Sequence, residues 1–428
     1  MKTLRILSFA AMASAVALVA MAGPASAQSV AEFYKGKRIQ MIIGLSSGGG
    51  YDRYARLLAR HMGRHIPGNP RFVAKNMPGG GSLVATNFLY NAAAQDGTYI
   101  GAVQRGVPVE PLTKGKDSKA LFDPLKLKWI GSANEETSIA IAWHTTGIKS
   151  YKDLFTKQLI VGGTGVTTDS VVTAHVMNNL LGMKYKVIAG YPGGSEMDLA
   201  MERGETGGRA TFSWSSFKVR RMKWAEQKKV VILYQMGLTK NNEGLLRDVP
   251  LALDFAKDKK TLEVLKLKFG VGVFGRPYMV GPKVPDDRFQ ALRKAFDATM
   301  KDKKFLAGAK KSRLDVNPAS GAKVAKVIAD MYASPAEVRA ALVKASLPAS
   351  KVEIVKIPTT IMKGVISKVR RKGGRITYKV GKKKTKLRVS GRRTKITVGG
   401  KKAKRKALKV GMNCTFTHKA SSAKKIDC

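Results

Sequence analysis

The sequence predicts an α/β fold followed by a small all-β module. Three observations lead there. A unit of apolar strand, glycine-rich loop and helix occurs four times before residue 200; past Leu347 that rhythm gives way to short alternating strands; and the charge balance breaks at the same place. Alternating strands and helices call for a sheet covered by helices, whereas closely spaced strands separated by Gly-rich or Lys-rich turns call for a barrel or an open roll.

The first unit spans residues 39–62. Its strand, 39–43, runs into a loop of Ser46, Ser47, Gly48, Gly49 and Gly50 that opens directly into an amphipathic helix. Successive glycines let backbone N–H groups approach a ligand closely, and the helix behind them turns its unpaired donors and positive dipole end to the same spot. The expected result is an anion site made of backbone. Tyr51, Tyr54, Ala55, Leu58 and Met62 share one helix face, and Arg53, Arg56, Arg60 and Arg64 form a basic stripe that reads as a solvated face. Asp52 lies in the first turn, either as a favourable partner of the dipole or as a contact to a ligand hydroxyl or ammonium.

The second unit ends its strand at Asn76, turns through Pro78, Gly79, Gly80 and Gly81, and starts a helix with Ser82 as N-cap. A short strand over 99–103 brings its end, Gln104-Arg105-Gly106, beside these two loops if the strands are neighbours. Strand-like runs follow at 129–132 and 139–144. The third unit leads through Gly163, Thr164, Thr167, Thr168 and Asp169 into a helix ended by Gly182. The fourth carries Tyr191, Gly193, Gly194 and Ser195, and its Ser195-Glu196-Met197-Asp198 run fits a capping box. Further βα material runs to about 265, a strand interrupted by Gly and Pro covers 269–280, and helices are expected at 286–299, at 321–332 and from Pro335. Four loops of this kind together suit the collection of a small acidic molecule at converging helix starts.

With 428 residues, 44% hydrophobic and 25% charged, the chain has material for two or three domains. Lys2 and Arg5 precede an apolar run over 6–21, and Ala25-Ser26-Ala27 supplies small residues before a cut at Gln28, the pattern of a secretory signal peptide; an uncleaved anchor is the alternative. The mature chain is therefore expected outside the cytoplasm. The formal charge is +49, and residues 351–428 hold 26 Lys and Arg against two acids, Glu353 and Asp427. Cys414 and Cys428 both lie there, and in an exported chain a lone pair most simply forms one disulfide.

Other chemistry has little support. His61 and His65 have metal-ligand spacing, but no glutamate stands between them. Ser195 lies in Gly-Gly-Ser-Glu rather than in the elbow of a hydrolase. The loop from Gly44 does not read as a dinucleotide fingerprint. Neither a cofactor nor a metal is called for, and no catalysis is expected.

Residues 30–345 as a whole resemble the extracytoplasmic solute-binding proteins of the tripartite tricarboxylate transporter family. The resemblance rests on Gly48-Gly49-Gly50-Tyr51-Asp52 with Ala55-Arg56, on Asn76-Met77-Pro78-Gly79-Gly80-Gly81-Ser82, on Asp96-Gly97-Thr98 before a strand, and on the Gly162 and Tyr191 loops. It implies a two-lobed periplasmic binding protein fold, type II-like, that closes over a carboxylate and delivers it to membrane permease subunits. The first lobe would comprise 28–145 and 270–345, the second 146–269, with a linker at 346–358 and the basic module at 359–428. Ligand contacts would come from 46–52 and 76–82 in one lobe and from 163–170 and 191–195 in the other. Leu45, Ser46 and Ser47 stand where the family has prolines, Thr168 and Asp169 where a Thr/Ser-His pair is common, and Glu196 near a usual Pro-Ala. The two added carboxylates leave room for an amino or hydroxy acid beside tricarboxylates and dicarboxylates.

A second class of function is an envelope or nucleic-acid interaction protein that works through the basic module. Its only aromatics are Tyr378 and Phe416, too few for base stacking. Attachment to an anionic envelope surface is the expected form, with no specific nucleic acid as partner.

Overall fold

Alternating burial along Arg38–Ile43 (β1) turns Ile39, Met41 and Ile43 onto the buried face of the helix Gly50–His61 (α1), where Tyr54, Ala55 and Leu58 meet them. This is the first layer of a computed structural model that describes residues 28–428 except 116–117, 350–351, 355–358, 371–372, 382, 392–393 and 420–421. The expected signal peptide lies outside the described residues, as do parts of the expected linker and the basic residues Lys382, Arg392 and Arg393. The chain divides into two compact units, up to Glu353 and from Ile354 onward.

In the first unit β1, Arg71–Asn76 (β2), Tyr99–Ala102 (β3) and Lys128–Ser132 (β4) are laid down in one sheet, with Leu83–Asn91 (α2) between β2 and β3. The chain then crosses to a second sheet built from Ser138–Trp143 (β5), Leu159–Gly162 (β6), Tyr185–Ala189 (β7), Gly208–Ser213 (β8) and Val230–Met236 (β9). Its helices are Asp169–Leu181 (α3), Gly194–Glu202 (α4), Trp214–Glu226 (α5) and Lys259–Phe269 (α6). A second crossing returns the chain as Pro277–Val280 (β10), which lies antiparallel between β3 and β4. The helices Asp286–Lys301 (α7), Lys303–Lys311 (α8) and Gly321–Ala333 (α9) follow, with Ala319–Ser320 (β11) on the sheet edge. Strands β1, β2 and β3 are parallel, as are β6, β7 and β8, so the loops after them gather at one end of each sheet. The result is a two-lobed α/β fold.

The lobe borders differ from the expected ones in two places. Strand β5, expected in the first lobe, pairs with β8 and β9 in the second sheet. All six of its residues are buried, because Ile139, Ile141 and Trp143 face Phe212 and Trp224 while Ala140 and Ala142 face the core around Val161 and Leu233. A final helix, Ala336–Ser346 (α10), also expected in the first lobe, places Val338, Leu342 and Ala345 in the second lobe's core. The chain therefore passes between the lobes three times.

The expected strand over 269–280 is also shorter than anticipated. Gly270–Phe274 forms a 3-10 turn and only Pro277–Val280 is extended. The glycines let this segment lie against the first crossing: Glu136 N–H donates to Gly272 O at 2.8 Å, and a Cβ on Gly275 would overlap the Glu136 side chain. Helix α8 has no counterpart in the sequence reading; Asp302 caps it by accepting from Lys304 N–H and Phe305 N–H.

The second unit is an all-β module whose strands run Lys383–Arg388, Arg375–Val380, Thr359–Arg370, Asn413–Lys419, Ser422–Asp427, Lys395–Val398 and Lys401–Lys402 across the sheet. A further pairing of Arg388 with Ser422 curls the sheet on itself. Ile366, Ile376, Tyr378, Leu387, Ile396, Phe416 and Ile426 fill the interior. Tyr378 and Phe416 are both buried and stack on each other with ring centroids 4.1 Å apart. Cys414 and Cys428 are joined in a disulfide, and closing so short a loop restrains the unfolded module by about 3 kcal/mol.

Candidate functional site

The four glycine loops meet in pairs across the lobes. Ser46 N–H donates to Pro192 O at 3.2 Å and Ser46 Oγ donates to Glu196 Oε2 at 2.9 Å, which joins the first loop to the fourth. The second loop rests on the third: Gly80, Gly81 and Ser82 all have left-handed backbone (φ 52, 64 and 91), and a Cβ on Gly81 would overlap the Thr168 methyl. Gln104, after β3, spans the same gap by accepting from Asp169 N–H at 3.3 Å. The lobes are closed.

Inside lies a cavity with about 70 Å³ for the centres of water-sized molecules, room for roughly five waters at ~15 Å³ each. Of the residues expected at the ligand, Ser46, Gly49, Gly50, Asp52, Gln104, Thr164, Asp169 and Gly194 line it. Ser47, Gly48, Gly163, Thr167, Thr168, Tyr191, Gly193 and Ser195 belong to the same loops but lie outside its lining. The second loop, with Asn76, Pro78, Gly79, Gly80, Gly81 and Ser82, also contributes nothing to the wall and serves the closure instead.

Several roles differ from those expected. Asp52 accepts from Gly48 N–H at 2.9 Å, Arg56 Nε at 2.7 Å and Asn76 Nδ2 at 2.8 Å, so it holds the first loop in shape. Ser82 holds the N-cap position of α2 as expected, but its side chain makes no capping hydrogen bond; its Oγ accepts from Gln104 N–H at 3.1 Å instead. The capping box at Ser195 does not form, because the N-cap of α4 lies two residues earlier, at Gly193, and Ser195 Oγ accepts from Arg220 Nη1 at 3.2 Å. His65 meets Asp302 at 2.7 Å, because the helix tightens into a 3-10 turn over Met62–His65.

Beyond Arg105, expected beside the first two loops with Gln104, arginines are what the sequence reading missed. Arg105, Arg209, Arg220 and Arg276 line the cavity and are all buried or nearly so. Arg105 pairs with Asp169 at 2.7 Å, and Lys268 approaches the other oxygen of Asp169 at 2.5 Å. Burial opposes ionisation of Asp169, yet Lys268 and Arg105 outweigh it and hold the carboxyl well below the usual range. Asp169 is thus an internal anion seated at the start of α3. Arg276 pairs with Glu136 at 2.7 Å and donates to Ser215 and Ser216, which ties the crossing segments to α5.

The second-lobe wall has more positive charge than its acids balance. Asp198, fully buried, meets Arg209 at 2.9 Å, Arg220 at 3.0 Å and Arg221 at 3.0 Å. Burial together with the neighbouring guanidiniums lowers Arg209 and brings Arg220 down to about 10, although Asp198 works in the opposite direction. Nε of Arg209, Arg220 and Arg276 and Nη1 of Arg105 find no hydrogen-bond partner among the described residues. Such a wall is chemically suited to an anion. One signal was available: Arg209 sits in a run, Gly208–Ser213, otherwise free of charge, where burial on both faces leaves it nowhere to reach water.

No protein-family model matches the sequence, and no curated protein matches it. Solved structures do. The chain is similar to the periplasmic binding protein BugD, with 16% identity, a TM-score of 0.58, and coverage of 75% of this chain and 100% of that one. It is similar to MatC from Rhodopseudomonas palustris with bound malate (15% identity, TM-score 0.55, 71% of this chain and 99% of that one). A second R. palustris protein, solved with adipate, gives 14% identity, a TM-score of 0.55, and coverage of 72% and 97%. At such identities the likeness is one of fold, and the fold is that of the two-lobed periplasmic binding proteins.

Proposed function

We propose that this chain is an extracytoplasmic solute-binding protein of the tripartite tricarboxylate transporter type, exported by its first 27 residues, which captures a small carboxylate between its lobes and hands it to permease subunits. The observation that carries the reading is the closed cavity itself: two uncapped helix starts at Gly50 and Gly194 face a space lined by four arginines. Unpaired N–H groups and guanidiniums gathered at one site bind carboxylate. The malate and adipate held by two neighbours of the same fold support that ligand class.

A thermal-shift panel of mono-, di- and tricarboxylates, hydroxy acids and amino acids on the full chain tests it. A ligand at about a hundred times its dissociation constant adds about 2.7 kcal/mol to the lobes, well within reach of a melting assay. Silence across the whole panel sinks the carboxylate reading.

The module supports a second role beside the first. Lys401, Lys402, Lys404, Arg405 and Lys406 are all exposed, and Lys384 joins them on the surface. Charge without accessible aromatics suits weak, salt-sensitive attachment to an anionic envelope surface. Full-length protein is expected to sediment with anionic vesicles at low salt and to leave them as ionic strength rises through about 0.15 M, where screening shortens to ~8 Å. Equal recovery with neutral vesicles argues for a merely soluble basic surface.

A further inference from the structure

We infer that the basic module docks on a bilayer containing anionic lipid through the outer face of three neighbouring strands, Thr359–Arg370, Arg375–Val380 and Lys383–Arg388, with Ile361 and Val365 entering the headgroup layer and lysines around them meeting the phosphates. This rests on the attachment reading and adds to it which face is used and what the surface is made of.

Alternation along the strands separates their two faces. Ile366, Ile376, Tyr378 and Leu387 turn inward, so Val365, Lys379 and Lys384, which stand opposite one another across the three strands, turn outward. The next outward row is Lys368, Thr377 and Lys386. Lys363 lies on the same face, between Ile361 and Val365. These lysines are exposed, the three strands hold no acid, and none of the lysines forms an ion pair among the described residues. Like charges directly opposite each other weaken a sheet, and Lys379 faces Lys384. An anion laid over the face removes that repulsion.

Position in the sheet separates this charge from that of the hairpin. Lys401 and Lys402 form the outermost strand, where lysines discourage pairing with another chain and so serve the module without any partner. Arg375–Val380 is hydrogen-bonded on both sides and has no edge to protect. Its outward lysine calls for another explanation.

Two aliphatic side chains decide between a bilayer and a soluble polyanion. Ile361 is 64% exposed and Val365 42%, four residues apart on the face that carries the lysines. A hydrated polymer offers them nothing. The interface of a bilayer takes apolar side chains into the headgroup and acyl boundary, while lysine stems lie along the apolar surface and carry their ammonium groups to the phosphates. Tyr378 and Phe416, the side chains that could stack on bases, are buried inside the module.

Acetylation footprinting of the full chain on vesicles of phosphatidylcholine and phosphatidylglycerol, at low ionic strength, tests the face. Lys363, Lys379 and Lys384 are expected to react at least fivefold more slowly on the vesicles, and Lys401 and Lys402 to change less than twofold. Flotation of variants tests the composition of the surface. Ile361→Thr with Val365→Thr keeps β-branched side chains and every charge; it is expected to weaken vesicle binding about tenfold and to leave retention on heparin within twofold. Lys379→Gln with Lys384→Gln is expected to weaken vesicle binding tenfold or more without lowering the melting temperature, whereas Lys401→Gln with Lys402→Gln stays within twofold. The footprint uses the parent protein and decides the face even where a variant fails to fold. Equal protection of sheet and hairpin lysines, or equal loss in the two Gln pairs, overturns the face and leaves attachment to an anionic surface standing. A Thr pair that floats as the parent does overturns the bilayer in favour of a polyanion. No flotation of the parent with these vesicles overturns both readings.

Discussion

Replacement of Asp198 by Asn is expected to destabilise the ligand-free lobes by about 3–5 kcal/mol, the usual cost of removing one partner from a buried ion pair. The expectation follows from an asymmetry of the second-lobe wall. Three guanidiniums converge on one fully buried carboxylate. Without it, Arg209 and Arg220 remain in low dielectric beside the Phe212 ring, with Arg220 keeping only its bond to Ser195 Oγ. All four tryptophans lie in the lobes, so urea unfolding followed by tryptophan fluorescence reports this unit without the module. A carboxylate that binds in the cavity should recover part of the loss in the Asn variant, since it brings negative charge to the same wall. A loss below about 1 kcal/mol, the range of exposed pairs, would mean that these arginines reach water and that the wall is not short of negative charge.

The glycine loops were legible because backbone geometry leaves little choice of residue. A loop that turns through left-handed backbone over Gly80 and Gly81, or passes close to another chain segment as Gly50 does, excludes side chains, and the exclusion is written directly in the sequence. The arginines were not legible for the opposite reason. In a chain of +49, Arg220 and Arg221 on a Lys- and Arg-rich helix look like any solvated face, and only the tertiary fold places Asp198 and Phe212 against them. The lobe border at β5 was hidden by burial on both faces: an apolar run without alternation gives no clue to which sheet it joins. Asp169 shows how composition misleads at a site. Two carboxylates added near the cleft left room for an amino or hydroxy acid, yet Asp169 is neutralised by Arg105 and by Lys268, 99 residues further along, a pairing that spacing does not reveal.

Closure is the step at which a single methyl group should matter most. Gly81→Ala is expected to lower ligand affinity by about a hundredfold, because its Cβ would overlap the Thr168 methyl only when the lobes meet. In an open chain Thr168 moves away with its lobe, so the variant still folds. Left-handed backbone at Gly81 (φ 64) adds about 1–2 kcal/mol of strain to any residue with a Cβ, and that penalty must be separated from the clash. Gly36→Ala provides the control. Its φ is 73 and nothing lies within 4 Å of the added carbon, so it carries the same strain without an obstacle and should lose stability yet keep its affinity. Thr168→Ser provides the converse, since it removes the methyl that Gly81→Ala strikes and should return much of the affinity in the double variant. Ligand affinity measured by calorimetry across these four proteins distinguishes the outcomes. If Gly36→Ala and Gly81→Ala lose affinity alike, backbone strain alone accounts for the effect. If Gly81→Ala binds as the parent does, the second and third loops do not meet in the bound state, and the glycine run at 79–81 has another purpose.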